Sequence, residues 1–60
     1  MAGEEVLIAD GNETDREQLA VFMESYGLVP STVGSYLAGR EKVAGKFFAL
    51  VLVDLELPGG

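Results

Sequence analysis

Phe47-Phe48-Ala49-Leu50-Val51-Leu52-Val53-Asp54 is the stretch whose reading decides the fold. Seven apolar residues follow one another without polar alternation, and the run stops at an aspartate. Strict alternation marks a strand with one wet face, whereas an uninterrupted run this short marks a strand covered on both faces. Such strands belong to parallel sheets sandwiched between helices, so an α/β arrangement is expected, with a strand over about 47–54.

Working outward, a second run of the same kind lies near the start of the chain. Val6-Leu7-Ile8-Ala9 is apolar throughout and ends at Asp10-Gly11-Asn12, which predicts a buried strand over about 5–10. A helix over about 14–26 follows. Thr14 and Glu17 have the spacing of a capping box, with Thr14 as N-cap. Leu19, Phe22, Met23 and Tyr26 fall on one helical stripe that reads as core. Gly27 supplies a left-handed C-terminal cap and Leu28 its hydrophobic contact. Leu28-Val29-Pro30-Ser31-Thr32-Val33 predicts a weaker strand over about 28–33. Its proline cannot donate to a ladder and so belongs at a sheet edge. A second helix is expected over about 35–45, with only a patchy apolar face of Leu37, Arg40, Val43 and Ala44 and a costly Gly39 inside it.

The resulting order is β-α-β-α-β in a single small domain spanning residues 1–60. Short right-handed crossovers make the sheet parallel, and the proline strand at an edge makes the strand order 2-1-3. The first and third strands then lie about 4.8 Å apart. Asp10 and Asp54 end them side by side at the carboxyl edge, where open α/β sheets carry their sites.

Composition narrows the chemistry. The chain has no cysteine and no histidine, which removes disulfides, thiolate and imidazole metal sites, and His-dependent nucleophilic catalysis. Ten acidic against four basic residues, a net charge of −6, argue against a nucleic-acid surface. The acidic, polar start Met1-Ala2-Gly3-Glu4-Glu5 does not read as a secretory signal, and the longest apolar run is too short to span a membrane, so no membrane association and a cytoplasmic location are expected. Paired carboxylates at strand ends suit a hard cation such as Mg2+, and an aspartate beside such an ion is a competent nucleophile toward phosphorus.

Val6-Leu7-Ile8-Ala9-Asp10 before a helix carrying Arg16, and Leu50-Val51-Leu52-Val53-Asp54-Leu55-Glu56-Leu57-Pro58-Gly59, resemble the receiver domain of two-component response regulators. The resemblance covers about Val6 to Gly60 and implies a flavodoxin-like fold and a phosphorelay signalling module rather than an enzyme. By this resemblance Asp54, which lies 44 residues after Asp10, is the phosphoacceptor. Asp10, Asp54 and the backbone carbonyl of Glu56 are the expected Mg2+ ligands, and a histidine kinase or phosphotransfer protein is the expected partner. Two departures stand out. Gly11 occupies the place of the second acidic residue that receivers usually carry after the first strand, which weakens the expected Mg2+ site. A full receiver also has a fourth strand ending in Thr or Ser and a fifth carrying a Lys, and neither is present, so the chain reads as the N-terminal half of a receiver. Lys42 and Lys46 precede the third strand and belong to the opposite edge. Without a fourth strand the third presents an open apolar edge, which predicts self-association through that strand or docking on a partner.

Two alternative functions follow from the same residues. A pseudo-receiver is an interaction module that never takes phosphate, and Gly11 with the missing Thr and Lys favours it. Asp10-x-Asn12-x-Thr14 faintly resembles the nucleophile motif of haloacid-dehalogenase-like phosphatases, with Asp10 as nucleophile, but lacks its second aspartate.

Overall fold

The structure is a computed structural model and describes residues 3–60. Strand β1 (Glu5–Ala9) is followed by helix α1 (Glu13–Glu24), strand β2 (Val29–Val33), helix α2 (Tyr36–Gly45) and strand β3 (Leu50–Val53). The three strands form one parallel sheet in the order β2-β1-β3. The α/β class, the parallel pairing and the strand order expected from the apolar runs and Pro30 are all present.

β1 holds the sheet together because it is the strand with a neighbour on both sides. Val6, Leu7, Ile8 and Ala9 are almost completely buried. Alternate side chains pass to opposite faces of a strand. Val6 and Ile8 pack with Met23 on the α1 side, joined by Leu19, Ala20, Leu28 and Leu52. Leu7 and Ala9 pack with Val33 and Phe48 on the other side, joined by Ala38 and Leu57. The two small cores are therefore the two faces of one five-residue strand.

Several element ends differ from the expectations, each for a visible reason. The N-cap of α1 is Asn12, not Thr14: the Asn12 side chain accepts the Asp15 N–H at 2.9 Å, and Thr14 lies inside the first turn. The apolar stripe of α1 is only half core. Met23 is buried and Leu19 packs on it, whereas Phe22 and Tyr26 are 53% and 69% exposed and stack edge-to-face on each other at 5.1 Å. α1 packs over β1 and β2, and among the described residues nothing covers the outer side of its stripe. β3 begins at Leu50, three residues later than expected, because its partner is short: Val6 pairs with Leu50, and the Ala49 N–H to Glu5 O bond is the start of the ladder. Phe48 instead turns into the core beside Leu7, and Phe47 points out at 85% exposure.

Other details agree with the sequence reading. Gly27 has φ 80°, with Leu28 N–H bonded to Met23 O and Gly27 N–H to Glu24 O, the paired bonds of a Schellman cap. Ser35 caps α2 through its Oγ, which accepts the Ala38 N–H at 3.2 Å. Pro30 sits on the outer strand β2, where the missing N–H removes nothing from the ladder. Among the described residues no helix is long and apolar enough to cross a membrane.

Two stability outcomes follow, both measured by urea unfolding. Asn12→Ala is expected to cost about 1 kcal/mol through loss of the cap, while Thr14→Ala stays within about 0.5 kcal/mol. A Cβ at Gly39 meets Val33 Cγ2 at an ordinary 3.6 Å, so Gly39→Ala is expected to stabilise by about 1 kcal/mol.

Candidate functional site

The carboxyl edge of the sheet is where the chain's chemistry collects. Ala9 pairs with Val53, so the residues that follow them, Asp10 and Asp54, leave adjacent strands at the same level. Both strands are still tied at that point: Asp10 N–H donates to Val33 O at 3.1 Å, and Asp54 N–H donates to Ala9 O at 2.9 Å. The two aspartates line one cavity of about 230 Å³, whose floor is Ile8, Ala9, Leu52 and Val53 and whose wall is Leu19 of α1. Asp10 is buried and Asp54 exposed.

Each carboxylate is held by a backbone amide two residues on. Asp10 Oδ1 accepts from Asn12 N–H at 2.9 Å, and Asp54 Oδ1 accepts from Glu56 N–H at 3.2 Å. These Asx turns fix the side chains over their own loops. Among the described residues neither Oδ2 receives a hydrogen bond, and no fully buried side-chain oxygen lacks a partner, so the second Asp10 oxygen is open to solvent. The turn after β3 is closed by Leu57 N–H to Asp54 O at 3.1 Å. Glu56 lies on this turn with its side chain exposed.

Arg16 is more than an exposed helix residue. Its guanidinium reaches from α1 to the Asp10 carbonyl, with a 2.8 Å bond, and lies against Gly34 at the end of β2. It ties the ends of β1 and β2 to the first turns of α1. Lys46 stands at the other end of the sheet, paired with Glu5 at the first residue of β1 and placed over the Phe48 ring at 6.0 Å. The expected separation of the lysine from the carboxylate edge is therefore present.

Gly11 has a steric role that the sequence pattern does not reveal. A Cβ on Gly11 would meet Pro58 Cδ at 2.8 Å, because the loop after β3 folds back across the end of β1. That loop then reaches α2. Tyr36 N–H donates to Pro58 O at 2.7 Å and Leu37 N–H to Gly59 O at 3.2 Å, which satisfies two of the four open amides of the helix. A second acidic side chain at position 11 has no room while Pro58 lies there. Asn12 is also committed, since its side-chain oxygen caps α1.

The donor set is thus two carboxylates and nearby backbone carbonyls. Among the described residues no three His, Cys, Asp or Glu side chains are grouped to hold a metal ion. Two carboxylates with free Oδ2 atoms fit a hard, oxygen-seeking cation that keeps water or phosphate oxygens in its remaining positions, and they do not fit a soft metal. No protein-family model, curated protein or solved structure matches this chain.

The Gly11 contact has a measurable consequence. Gly11→Asp is expected to lower stability by about 1–3 kcal/mol in urea unfolding, and adding Pro58→Ala is expected to recover most of that loss.

Proposed function

We propose that this chain is a response-regulator receiver-like signalling module of flavodoxin-like type, in which Asp54 accepts a phosphoryl group. The observation that carries this reading is the pairing of Asp10 and Asp54 at adjacent strand ends, lining one cavity, each with an oxygen free. The leucine-proline turn after Asp54 supports it.

The chemistry follows from the placement. Asp54 is the exposed member, so a free Oδ is open to in-line attack on the phosphorus of a donor. The new Oδ–P bond forms as the bond from phosphorus to the donor's leaving group breaks. The leaving group departs with the electron pair, as an imidazole from a phosphohistidine, and Asp54 becomes an acyl phosphate. Two carboxylates beside an incoming dianion repel it. Asp10, Asp54 and the Glu56 backbone carbonyl would hold Mg2+, whose charge would offset this repulsion. Asp10, buried and held by Asn12 N–H, would help hold the cation without competing as nucleophile. The partner on this reading is a histidine kinase or phosphotransfer protein, and the compartment is the cytoplasm.

A second reading, a pseudo-receiver that binds a partner without taking phosphate, is favoured by one observation. A second acidic side chain at position 11 has no room against Pro58.

The deciding experiment is incubation with a small acyl phosphate and Mg2+, followed by mass spectrometry of the intact protein. The expected result is a gain of one phosphoryl group that Asp54→Asn abolishes, that Asp10→Asn makes insensitive to Mg2+, and that hydroxylamine removes. No gain under saturating donor favours the pseudo-receiver. A label that survives Asp54→Asn overturns the assignment of the acceptor.

A further inference from the structure

Asp10 and Asp54 are each held at three points, and one of those holds differs in kind from the rest. The N–H of each is bound into the sheet, Asp10 to Val33 O at 3.1 Å and Asp54 to Ala9 O at 2.9 Å. Each Oδ1 accepts the amide two residues on. The Asp54 carbonyl accepts Leu57 N–H, a backbone bond of its own turn. The Asp10 carbonyl is held instead by a side chain: it accepts from Arg16 Nη1 at 2.8 Å. The peptide fixed in this way joins Asp10 to Gly11, and glycine accepts a turned peptide at little steric cost. Turning it would change the backbone angles on which the Asp10 Asx turn is built, and with them the direction of the free Oδ2.

The partner that Arg16 takes is not the one its surroundings offer. Glu13, Asp15 and Glu17 lie within three residues of it in a chain of net charge −6, yet among the described residues the guanidinium makes no ion pair. It donates to a neutral carbonyl, in a charge-assisted bond of the stronger class. The end of β2 provides its seat. A Cβ at Gly34 would meet Arg16 Nη1 at 2.9 Å and Cζ at 3.5 Å, so glycine leaves the space in which the guanidinium lies. Val33, the residue before, accepts the Asp10 N–H. Two consecutive residues thus hold one side of Asp10 directly and the other through Arg16.

Resting on the reading of Asp10 and Asp54 as Mg2+ ligands, we propose that Arg16, seated on Gly34, is a positioning residue of the carboxylate edge. It fixes the Asp10–Gly11 peptide and so keeps the Asp10 carboxylate placed to hold the cation together with Asp54. Arg16 acts through Asp10 and is itself no ligand. Its charge works against the site, because one cation repels another at short range. Placement and charge therefore have opposite signs. Loss of placement loosens Mg2+, and loss of the charge alone tightens it. Removing a group that orients a metal ligand typically lowers affinity about 10–100-fold, so placement is the larger effect.

The test is a Mg2+ titration of the full chain, followed by NMR at the side-chain carboxyl carbons of Asp10 and Asp54. The signals read are those of the folded protein, so a loss of stability alone does not move the midpoint. In the unaltered chain Mg2+ is expected to shift both carboxyl signals with one midpoint. Arg16→Met keeps the length of the stem but no donor, and is expected to raise that midpoint about tenfold. Gly34→Ala keeps every charge and displaces the guanidinium, and is expected to raise it about as much. Both changes break one bond, so the double variant is expected to be no weaker than the weaker single variant. A midpoint that stays or falls in Arg16→Met, one that stays in Gly34→Ala, or losses that add in the double variant overturn the proposal. Carboxyl signals that Mg2+ leaves unmoved in the unaltered chain overturn it as well. The result is separate from phosphoryl transfer. Mg2+ binding that depends on Arg16 in a chain that takes no phosphoryl group upholds the positioning role and overturns only Asp54 as acceptor.

Discussion

Everything in this fold depends on one strand having a neighbour on both sides. β1 contributes four almost completely buried apolar residues, and through its alternation it builds both cores at once. Remove the pairing with β2 or with β3 and one row of backbone groups is left without partners in an apolar setting, where each such group costs on the order of 1–3 kcal/mol. The helices are secondary to this. α1 packs through Met23, Leu19 and Ala20, and α2 contributes no fully buried residue and touches the core through Ala38.

The same strand positions the chemistry. Parallel pairing in the register Ala9 to Val53 obliges the next residues to emerge together, so the two aspartates are neighbours because the sheet is parallel and its crossovers are short. The loops then specialise them. Asn12 N–H and Glu56 N–H each take one carboxylate oxygen and leave the other free. The return of the Pro58 loop over Gly11 closes one side of the site and completes the start of α2. A single loop thereby links the end of β3 to the start of α2.

Much of this was legible in the residues. The apolar runs 6–9 and 50–53, Pro30 and Gly27 led to the strand order, the edge strand and the left-handed cap, because each rests on local backbone chemistry. Asp10 and Asp54 were legible as a pair once the order was known. The misreadings came from residues whose role depends on a neighbour. Phe22 and Tyr26 have the spacing of core residues, but among the described residues nothing covers them. Thr14 and Glu17 match a capping box, yet Asn12 reaches the amide first. Phe47 and Phe48 extend the apolar run, yet β1 is too short to pair with them.

The amino-acid sequence by itself determined the class of the fold, the topology of its sheet and the edge at which the carboxylates gather, since hydrophobic period, proline and glycine act through bonds and contacts a few residues away. Tertiary structure alone decided where β3 begins, which half of the α1 stripe is buried, why position 11 is glycine and where Arg16 is spent. Those outcomes are set by distances between segments that are remote in the chain: Pro58 against Gly11, Glu5 against Ala49, Arg16 against Asp10. No local pattern encodes such distances, because they exist only after the sheet has brought the strand ends together.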